Sequence, residues 1–341
     1  MASLKAFVIA RVLVLIPTLL LLVTLVFFIM RVMPGDPVIA IVGMKAPPER
    51  ILELRKALGL VDESGNPIPL PLQYLNYLAR LFQGDFGRSL IWGKRPVLVE
   101  IMEHLPATVE LAISGFIVSI ILGILLGSIG GWKGGKTSSV VKIYSAVTYA
   151  LFIPWIGMLF QLLFSVWLGI LPVAGRIDPG LEPPPVTGLY LLDSLIAGKW
   201  DSFISSLRHL ILPSLTLGLV ISGVFTRVTR TSVEEIMRQD FVVAARARGI
   251  PEHKILLHVL KNAFIPIMTM MGLQLALLMT GAILTETTFS WPGMGTFLLE
   301  RIEYRDYTTV QGTVVFFAII VSVVNLLVDV LYAYIDPRIR Y

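Results

Sequence analysis

The stretch between residues 240 and 251 reads DFVVAARARGIP and lies between two long uncharged runs, 209–226 and 262–285. Asp240 can cap the start of a helix, because its carboxylate accepts hydrogen bonds from the free N–H groups of the first turn. Gly249, followed two residues later by a proline, supplies a stop, so a helix of about two turns is predicted. The pattern therefore places a short polar helix between two segments of membrane-spanning length.

The surface of this helix is suited to docking against another protein. Three of its residues carry only a methyl group, which lets another surface approach the backbone closely: Ala244, Ala245 and Ala247. Arg246 and Arg248 can pair with acidic groups on that surface. Pro251 suits the first position of a second helix, and Glu252 then lies where the positive end of the helix dipole favours a carboxylate. The residue types alone leave open a second interpretation, a cytoplasmic loop that is basic without a docking role.

The composition is that of a membrane protein. Hydrophobic residues make up 55% of the chain and charged residues 15%, with a mean hydropathy of +0.80. A bilayer core of about 30 Å needs roughly 20 apolar residues in a helix, so uncharged runs mark the spans. Six runs meet this criterion: 12–30, 111–132, 143–175, 209–226, 262–285 and 307–328. The third run is long enough to hold a span and an extramembrane turn near Pro172.

Lysine and arginine residues predict which side of the membrane each loop faces, because short loops rich in them stay in the cytoplasm. The connection 227–261 holds seven of these residues and the connection 133–142 holds three, so both are predicted to be cytoplasmic. Six spans then place both termini in the cytoplasm. The segment after the first span carries nine basic residues, but it is about 70 residues long, and long loops are translocated largely regardless of charge.

The expected fold is an all-α integral membrane protein with six transmembrane helices and three parts. The first part, 1–33, is a membrane anchor helix, and the second, 34–104, is a small extracytoplasmic region. The third part, 105–341, is a five-helix core. This core is expected to carry the docking helix at 240–250 in the cytoplasm and an extracytoplasmic loop at 172–207.

Three short segments outside the spans have recognisable local patterns. A helix is predicted within 46–60, because two prolines begin it and a glycine ends it. A short amphipathic helix is predicted at 189–196. The sequence FSWPGMG at 289–295 combines one proline and two glycines in a tight turn, and its two aromatic side chains are expected to anchor at the membrane surface.

The sequence offers no catalytic site and no metal site. It has no cysteine, and its four histidines do not fall into a zinc-ligand spacing with carboxylates. Residues 130–137, GGWKGGKT, match the phosphate-loop pattern, but that loop must follow a buried strand, whereas here it lies between two spans. We interpret it as a tight cytoplasmic turn. No cofactor is expected in this chain, and the net charge of +5 reflects loop topology rather than nucleic-acid binding.

Polar residues inside the spans either bridge neighbouring helices or line a path for solute. The candidates for a solute path are Gln161, Ser222, Gln274, Thr280 and Asn325. Gln274, near the middle of the fifth run, is the first choice, and its uncharged neighbours supply no fixed counter-charge for a strongly ionic solute. Interhelical hydrogen bonding is the alternative for all five.

A docking helix before the penultimate span of a six-span chain resembles the permease subunits of binding-protein-dependent ABC importers. Their cytoplasmic signature reads E-A-A-x-x-x-G. Three residues match it at the right spacing: Ala244, Ala245 and Gly249. Val243 stands where the signature has glutamate, so a salt bridge made by that glutamate is absent here or comes from Asp240 or Glu252.

A closer resemblance, which covers nearly the whole chain, is to the B-type permease of dipeptide, oligopeptide and nickel importers. It rests on six motifs in the same order: RVMPGDP (31–37), GDFGRSL (84–90), LPATVEL (105–111), LPVAGR (171–176), FSWPGMG (289–295) and DPRIR (336–340). One such motif would be weak evidence. Six in order, beside the docking helix, are strong evidence.

The resemblance implies an ATP-driven importer in the cytoplasmic (inner) membrane of a prokaryote. An extracytoplasmic solute-binding protein delivers solute, this chain and a second six-span permease of the C-type enclose the path, and two cytoplasmic ATPases bind ATP and Mg. The docking helix would be the coupling helix that fits a groove on one ATPase. The implied coupling residues are Asp240, Ala244, Ala245, Arg246, Arg248, Gly249, Pro251 and Glu252.

The cargo implied by the resemblance is a dipeptide or oligopeptide. The alternatives in the same class are nickel and an oligosaccharide. A secondary transporter or channel, from a different class, would also have six spans, but such proteins more often carry charges inside them. The six runs contain no Asp, Glu, Lys or Arg, which favours an importer subunit whose partners hydrolyse ATP.

Overall fold

The computed structural model describes residues 4–32, 38, 47–62, 64–91 and 93–335, except for the side chains of 4–7, 32, 276, 277, 279–281 and 331–335. The helices of these residues are α1 (Leu4–Val32), α2 (Pro48–Ala57), α3 (Leu70–Phe82), α4 (Val97–Lys133), α5 (Gly135–Ala150), α6 (Ile153–Phe160), α7 (Tyr190–Ile196), α8 (Trp200–Met237), α9 (Asp240–Ala247), α10 (Glu252–Thr288), α11 (Met294–Glu303) and α12 (Tyr307–Ile335). A π-helical segment, Gln161–Trp167, follows α6 directly. The described residues form no β-strand, and the predictions of an all-α fold and of helices within 46–60 and at 189–196 are confirmed.

Five of these helices contain segments long and apolar enough to cross a membrane. The segments are Val8–Arg31, Val97–Lys133, Trp200–Met237, Glu252–Leu275 and Tyr307–Val330. The bent pair formed by α5 and by α6 with its π-helical extension supplies a sixth crossing if both halves count as one span. The structure therefore confirms a multi-span membrane protein.

The third predicted run, 143–175, is broken in a place that the sequence analysis did not predict. We expected one span followed by a turn near Pro172, but α5 ends at Ala150 and α6 begins at Ile153, with the two axes bent by 101°. Pro154 favours the break, because a proline ring clashes with the carbonyl four residues earlier, here that of Ala150. In the first turn of a new helix the same proline is tolerated.

The long helix α8 contacts four other helices, α5, α6, α7 and α10. It also packs closely against α4 through glycines spaced four residues apart. Gly127 allows this approach because a Cβ there would lie 2.8 Å from the Thr226 carbonyl oxygen. At Gly131, a Cβ would lie 2.7 Å from the Arg230 carbonyl oxygen. Small residues of this kind let membrane helices pack backbone to backbone.

The chain divides into two compact units. One unit contains 106–295 and the described residues after 326, and the other contains the described residues before 106 together with 296–326. The first unit has an apolar core to which α4, α8 and the turn after α10 contribute the buried Leu111, Leu210 and Trp291. In the second unit, α1 and α12 bury their valines against α3.

Candidate functional site

The segment 240–251 forms the predicted short helix. Its first helical residue is Asp240, whereas Gln239 holds the cap position and makes no side-chain capping hydrogen bond. The prediction that Asp240 caps the helix is therefore wrong by one position, although its carboxylate still lies at the positive end of the helix dipole. Pro251 was predicted at the first position of the second helix. In the structure it lies one position earlier, as the N-cap residue of α10.

Gly249 ends α9 in a left-handed conformation, with φ at +70°. Its N–H donates to the Arg246 carbonyl oxygen at 2.9 Å, and the N–H of Ile250 donates to the Ala245 carbonyl oxygen at 3.1 Å. These two bonds form a Schellman motif, for which glycine is the preferred residue. A Cβ at position 249 would meet no atom within 4 Å. The backbone conformation, and not a lack of space, therefore requires glycine here.

The helix α9 is held on one face and exposed on the other. Val242 is fully buried in an apolar cluster contributed by α8 and α10, whose other buried members are Val233, Ile236, Ile255, Val259, Ala263 and Ile267. Ala244 and Ala247 are exposed on the other side, beside Phe241 and Val243. The exposed surface therefore combines the small side chains of Ala244 and Ala247 with larger apolar and charged ones, among them Phe241, Val243, Arg246 and Arg248. We call α9 and the turn 248–252 the docking hairpin.

Arg246 has a partner inside the docking hairpin. Its Nε donates to Glu252 Oε1 at 2.8 Å, and its Nη2 donates to Glu252 Oε2 at 3.3 Å. This hydrogen-bonded carboxylate raises the pKa of Arg246. Because both side chains are about half-exposed, the pair contributes at most about 1 kcal/mol. Of the two acidic residues considered as substitutes for the missing signature glutamate, Glu252 makes an ion pair within the hairpin.

A second group of functional candidates is a buried ion pair in the unit that contains the docking hairpin. Glu110 Oε2 accepts from Arg176 Nε at 2.9 Å and from Arg176 Nη2 at 2.6 Å. The other carboxylate oxygen of Glu110 accepts from the Leu191 N–H, while Arg176 also donates to the Gly188 carbonyl oxygen. The guanidinium lies 3.8 Å from the ring centroid of Tyr190. This pair therefore ties α4 to the loop that precedes and contains α7.

Glu286, fully buried near the end of α10, forms a second link to α4. Its Oε1 accepts from the Thr108 hydroxyl at 2.6 Å and its Oε2 accepts from the Gly295 N–H at 2.6 Å. The Thr108 hydroxyl oxygen accepts in turn from the Met294 N–H at 2.7 Å. These bonds hold the turn between α10 and α11 against α4. We call Thr108, Glu110, Arg176, Glu286 and the adjacent Trp291 the motif cluster.

The two aromatic residues of FSWPGMG are not membrane-surface anchors. Phe289 and Trp291 are each 1% exposed. Trp291 Nε1 donates to the Ala107 carbonyl oxygen at 2.8 Å, and the Gly175 N–H donates to the Phe289 carbonyl oxygen at 2.9 Å. The expectation of interfacial anchoring is wrong because these hydrogen bonds draw the turn inward.

Asp193 organises the loop that carries Arg176. Its carboxylate accepts four hydrogen bonds: from the N–H groups of Val186, Thr187 and Gly188 and from the Thr187 hydroxyl. Burial alone would raise the pKa of Asp193, but these bonds outweigh it and hold the pKa below its ordinary value. The carboxylate thus remains charged and fixes the segment between the three consecutive prolines and α7.

The motif cluster brings together three of the six motifs that carry the family resemblance. Thr108 and Glu110 belong to LPATVEL, Arg176 ends LPVAGR, and Trp291 lies in FSWPGMG. In the other unit, Ser89 of GDFGRSL donates to the buried Asp306 at 2.6 Å. The motif DPRIR and most of RVMPGDP lie outside the described residues. The motifs were recognised from the sequence, but their shared buried hydrogen-bond network was not.

Comparison with known families identifies the class of protein. The protein-family model described as "Binding-protein-dependent transport system inner membrane component" matches residues 119–341. A second model, "Binding-prot-dependent transport system membrane comp, N-term", matches residues 4–112. The chain belongs to the binding-protein-dependent transport system inner membrane component family. It is a multi-pass inner-membrane permease subunit and not an enzyme, and its family implies a binding protein and an ATPase as partners.

Several curated relatives align with this permease along almost its full length. It is 39% identical to the "Dipeptide transport system permease protein DppB" of Alkalihalophilus pseudofirmus, over 98% of this chain and 99% of the relative. It is 40% identical to the "Di/tripeptide transport system permease protein DppB" of Pseudomonas aeruginosa, with the same coverage. The "Glutathione transport system permease protein GsiC" of Salmonella choleraesuis is 37% identical, again over 98% and 99%.

Two of the five candidate path residues in this permease bridge structural elements. Gln161 Nε2 donates to the carbonyl oxygens of Val173 and Thr288 at 3.0 and 2.9 Å. The Ser222 hydroxyl of α8 and the Tyr144 hydroxyl of α5 are 2.7 Å apart. These contacts match the interhelical alternative, which the sequence analysis left open.

The other three candidates have different surroundings. Gln274 is 9% exposed within α10, whereas Asn325 is exposed on α12. The side chain of Thr280 lies outside the described residues. Among the four candidates whose side chains are described, no hydrogen bond joins one to another. In the part of the permease that the structure describes, no group of three or more His, Asp or Glu side chains could hold a metal ion.

Proposed function

We propose that this permease passes dipeptides or short oligopeptides from an extracytoplasmic binding protein across the inner membrane. The proposal is supported by two relatives that are named as dipeptide and di/tripeptide permeases and align over 98% of the chain. The relative named for glutathione also transports a peptide-like solute. Nickel and oligosaccharide remain the alternative cargoes within the importer class.

The proposed complex contains a second, C-type permease and two cytoplasmic ATPases that bind ATP and Mg. The docking hairpin carries this part of the proposal, because it combines a buried anchor, Val242, with an exposed surface on which Ala244 and Ala247 leave room for another protein to approach. We assign it the role of coupling helix, seated in a groove of one ATPase. ATP drives transport only if it binds more tightly to one global arrangement of the complex, so the hairpin must transmit ATPase closure to α8 and α10.

The proposed orientation places both termini and the docking hairpin in the cytoplasm. It follows from the lysine and arginine content of the connections 227–261 and 133–142. The segments 34–104 and 172–207 are then extracytoplasmic. In this orientation the loop that Asp193 and Arg176 organise faces the side from which a binding protein delivers solute.

Gln274 is our leading candidate for a side chain that contacts solute. It lies within α10, the helix that follows the docking hairpin directly, so a movement of the hairpin can be passed along that helix to the amide. Thr280 and Asn325 are further proposed positions on the path. For Gln161 and Ser222 we favour a structural role, because their polar groups already bond to neighbouring elements.

The decisive experiment is the substitution Gly249→Val in the complete importer. We expect normal amounts of the permease in the membrane, with uptake of a labelled dipeptide strongly reduced relative to ATP hydrolysis. The reason is that a β-branched residue resists the left-handed conformation that ends α9. Normal uptake by this variant would contradict the coupling role.

Gly134→Val is the matched control. Gly134 also has a positive φ, +63°, and a Cβ there would also meet no atom within 4 Å. It lies in the other predicted cytoplasmic turn, between α4 and α5, so it carries similar backbone strain without a docking helix. Equal loss of uptake in both variants would show that strain in any cytoplasmic turn is harmful and that the docking hairpin has no special role.

Cargo is tested separately, by competition between a labelled dipeptide and unlabelled solutes in cells that depend on this importer. Excess di- or tripeptide should abolish uptake of the label, whereas nickel and oligosaccharides should not. Uptake that persists without ATP and collapses when the proton gradient is removed would instead support the secondary transporter.

A further inference from the structure

The helix α3 is divided lengthwise into three surfaces, each about one third of its circumference. The first surface packs against α1 and α12 and consists of aromatic and leucine side chains: Tyr74, Tyr77, Leu78 and Leu81. Tyr77, Leu78 and Leu81 pack in the cluster formed by the buried Val23 and Val26 of α1 and Val315 of α12. Tyr74 and Tyr77 also lie against Phe27 of α1, with ring centroids 5.3 and 5.5 Å away.

The second surface of α3 is polar and faces a cavity whose other wall is formed by residues between 56 and 68. It consists of Gln73, Asn76 and Arg80, which are three and four residues apart and therefore share one face of a helix. All three residues line a cavity of about 340 Å³ beside α3. Gln73 closes the start of this surface by donating from Nε2 to the Ile68 carbonyl oxygen at 2.7 Å.

The third surface of α3 is apolar and exposed. Leu72, Leu75 and Phe82 are 49%, 59% and 82% exposed, and the exposed Ala79 lies between them on the same face. Large apolar side chains exposed together on one helix face indicate a contact with another apolar phase. We call Leu72, Leu75, Ala79 and Phe82 the outer face of α3.

The contacts of α3 with α1 show where this outer face lies relative to the membrane. The Tyr74 hydroxyl hydrogen-bonds with the Thr24 hydroxyl, and Thr24 lies inside the span Val8–Arg31. Thr24 is about 10 Å from the Arg31 end of that span, at 1.5 Å per residue. The start of α3 is therefore as deep as the last two turns of the span. With 13 residues, α3 is about 20 Å long and too short to cross a core of about 30 Å.

We propose that α3 is embedded in the boundary between lipid headgroups and acyl chains, with its outer face against the lipid. The three surfaces then face three environments: α1 and α12, the polar cavity onto which the exposed Asn76 and Arg80 open, and acyl chains. On α1, within about one turn of Thr24, the apolar side chains of Leu25 and Phe28 are also exposed, and the Phe28 ring stacks against Tyr74 of α3. In the orientation proposed above, this boundary is that of the extracytoplasmic leaflet.

The embedding gives the segment 34–104 a role beyond that of an extracytoplasmic loop. A helix held at the membrane surface fixes the height of the polar residues on its second surface relative to the bilayer. Arg80, in the last turn, can extend its charged end toward the headgroups while its aliphatic stem stays beside the apolar face. The proposed lipid contact rests on this chain being a membrane permease and on the packing of α3. It does not rest on which solute the permease carries.

The absence of cysteine in this chain allows a direct test. Single variants Leu75→Cys and Asn76→Cys are placed in the complete importer, with any cysteines of the partner subunits replaced, then labelled with a nitroxide and reconstituted into phospholipid bilayers. Collision rates with oxygen, which concentrates in lipid, and with a water-soluble nickel complex are then measured. Leu25→Cys on α1 is the reference for a lipid-exposed position. ATPase activity confirms that each complex is assembled.

We expect the label at position 75 to behave like that at position 25, with frequent oxygen collisions and severalfold fewer nickel collisions than at position 76. Two outcomes would overturn the proposal. High nickel accessibility at both 75 and 76 would place α3 in water. Low accessibility to both reagents at 75 would show that another protein subunit covers the outer face.

Discussion

At the scale of single residues, the ion pair between Glu110 and Arg176 buries two opposite charges inside the unit that contains the docking hairpin. Both side chains are about 6% exposed, and withdrawing two charges from water costs several kcal/mol per ion. The cost is offset because each group also bonds to backbone, Glu110 to the Leu191 N–H and Arg176 to the Gly188 carbonyl oxygen. The pair therefore fixes the position of the loop more than it adds net stability.

This argument predicts a non-additive pair of substitutions. Arg176→Met leaves Glu110 buried without its counter-charge, and we expect a loss of about 3–5 kcal/mol in stability. The double variant Glu110→Gln with Arg176→Met should be more stable than Arg176→Met alone, because no unpaired charge remains. Thermal unfolding of the purified permease measures both effects. A double variant as unstable as the sum of the two single variants would contradict the coupling.

Thr108 is predicted to act through its hydroxyl and not through its shape. Thr108→Val keeps the volume but removes the donor to Glu286 and the acceptor of the Met294 N–H. Leaving such buried groups unpaired costs about 1–3 kcal/mol. Thr108→Ser keeps the hydroxyl and is the control. The melting temperature should fall markedly for valine and little for serine, and equal losses would assign the effect to packing.

These residues show where sequence reasoning stops at this scale. Glu110 lies one position before the second uncharged run, and its partner Arg176 is 66 positions away, so spacing could not pair them. Both belong to motifs that were recognised, which is the signal that could have marked them. The Schellman geometry at Gly249 was predictable, because its causes lie within a few residues of it.

At the scale of helices, the packing of α4 on α8 depends on the absence of side chains. Gly127→Leu places bulk where a Cβ alone would lie 2.5 Å from Thr229 Cβ and 2.8 Å from the Thr226 carbonyl oxygen. We expect α4 to be pushed away from α8, with loss of folded permease from the membrane. Leu125→Ala, on the exposed side of α4, is the control and should leave the amount unchanged. Equal amounts of both variants would mean that α4 can shift without penalty.

Helix boundaries were predictable where local signals set them and not where tertiary structure did. Prolines and a glycine bracket α2 within the predicted range 46–60. The break between α5 and α6 also has a local signal, Pro154, but the surrounding residues are so apolar that hydropathy alone predicted one continuous run. The inward turn of Trp291 had no local signal, since its partner is the Ala107 carbonyl oxygen.

At the scale of the whole molecule, the motif cluster and the docking hairpin are two separate sites in the same unit. LPATVEL, LPVAGR and FSWPGMG meet in the motif cluster, whereas the docking hairpin is anchored by a separate apolar cluster that contains Val242. One long helix, α10, begins at the docking hairpin and carries Glu286 of the motif cluster close to its other end. A displacement of the hairpin along this helix axis would therefore reach the motif cluster without any other element in between.

This arrangement predicts how the assembled importer responds when the docking surface is blocked. Ala244→Trp adds a bulky side chain to the exposed face of α9, and we expect affinity-purified permease to retain its partner permease but to lose most of the ATPase. Ala197→Trp, at the exposed end of α7, is the matched control and should retain all subunits. Mass spectrometry of the purified complexes measures both.

The permease alone should hydrolyse no ATP, because ATP binding and hydrolysis belong to the partner. Full retention of the ATPase by Ala244→Trp would show that the hairpin is not the main contact, and a stable oligomer of this chain alone would contradict the proposed assembly.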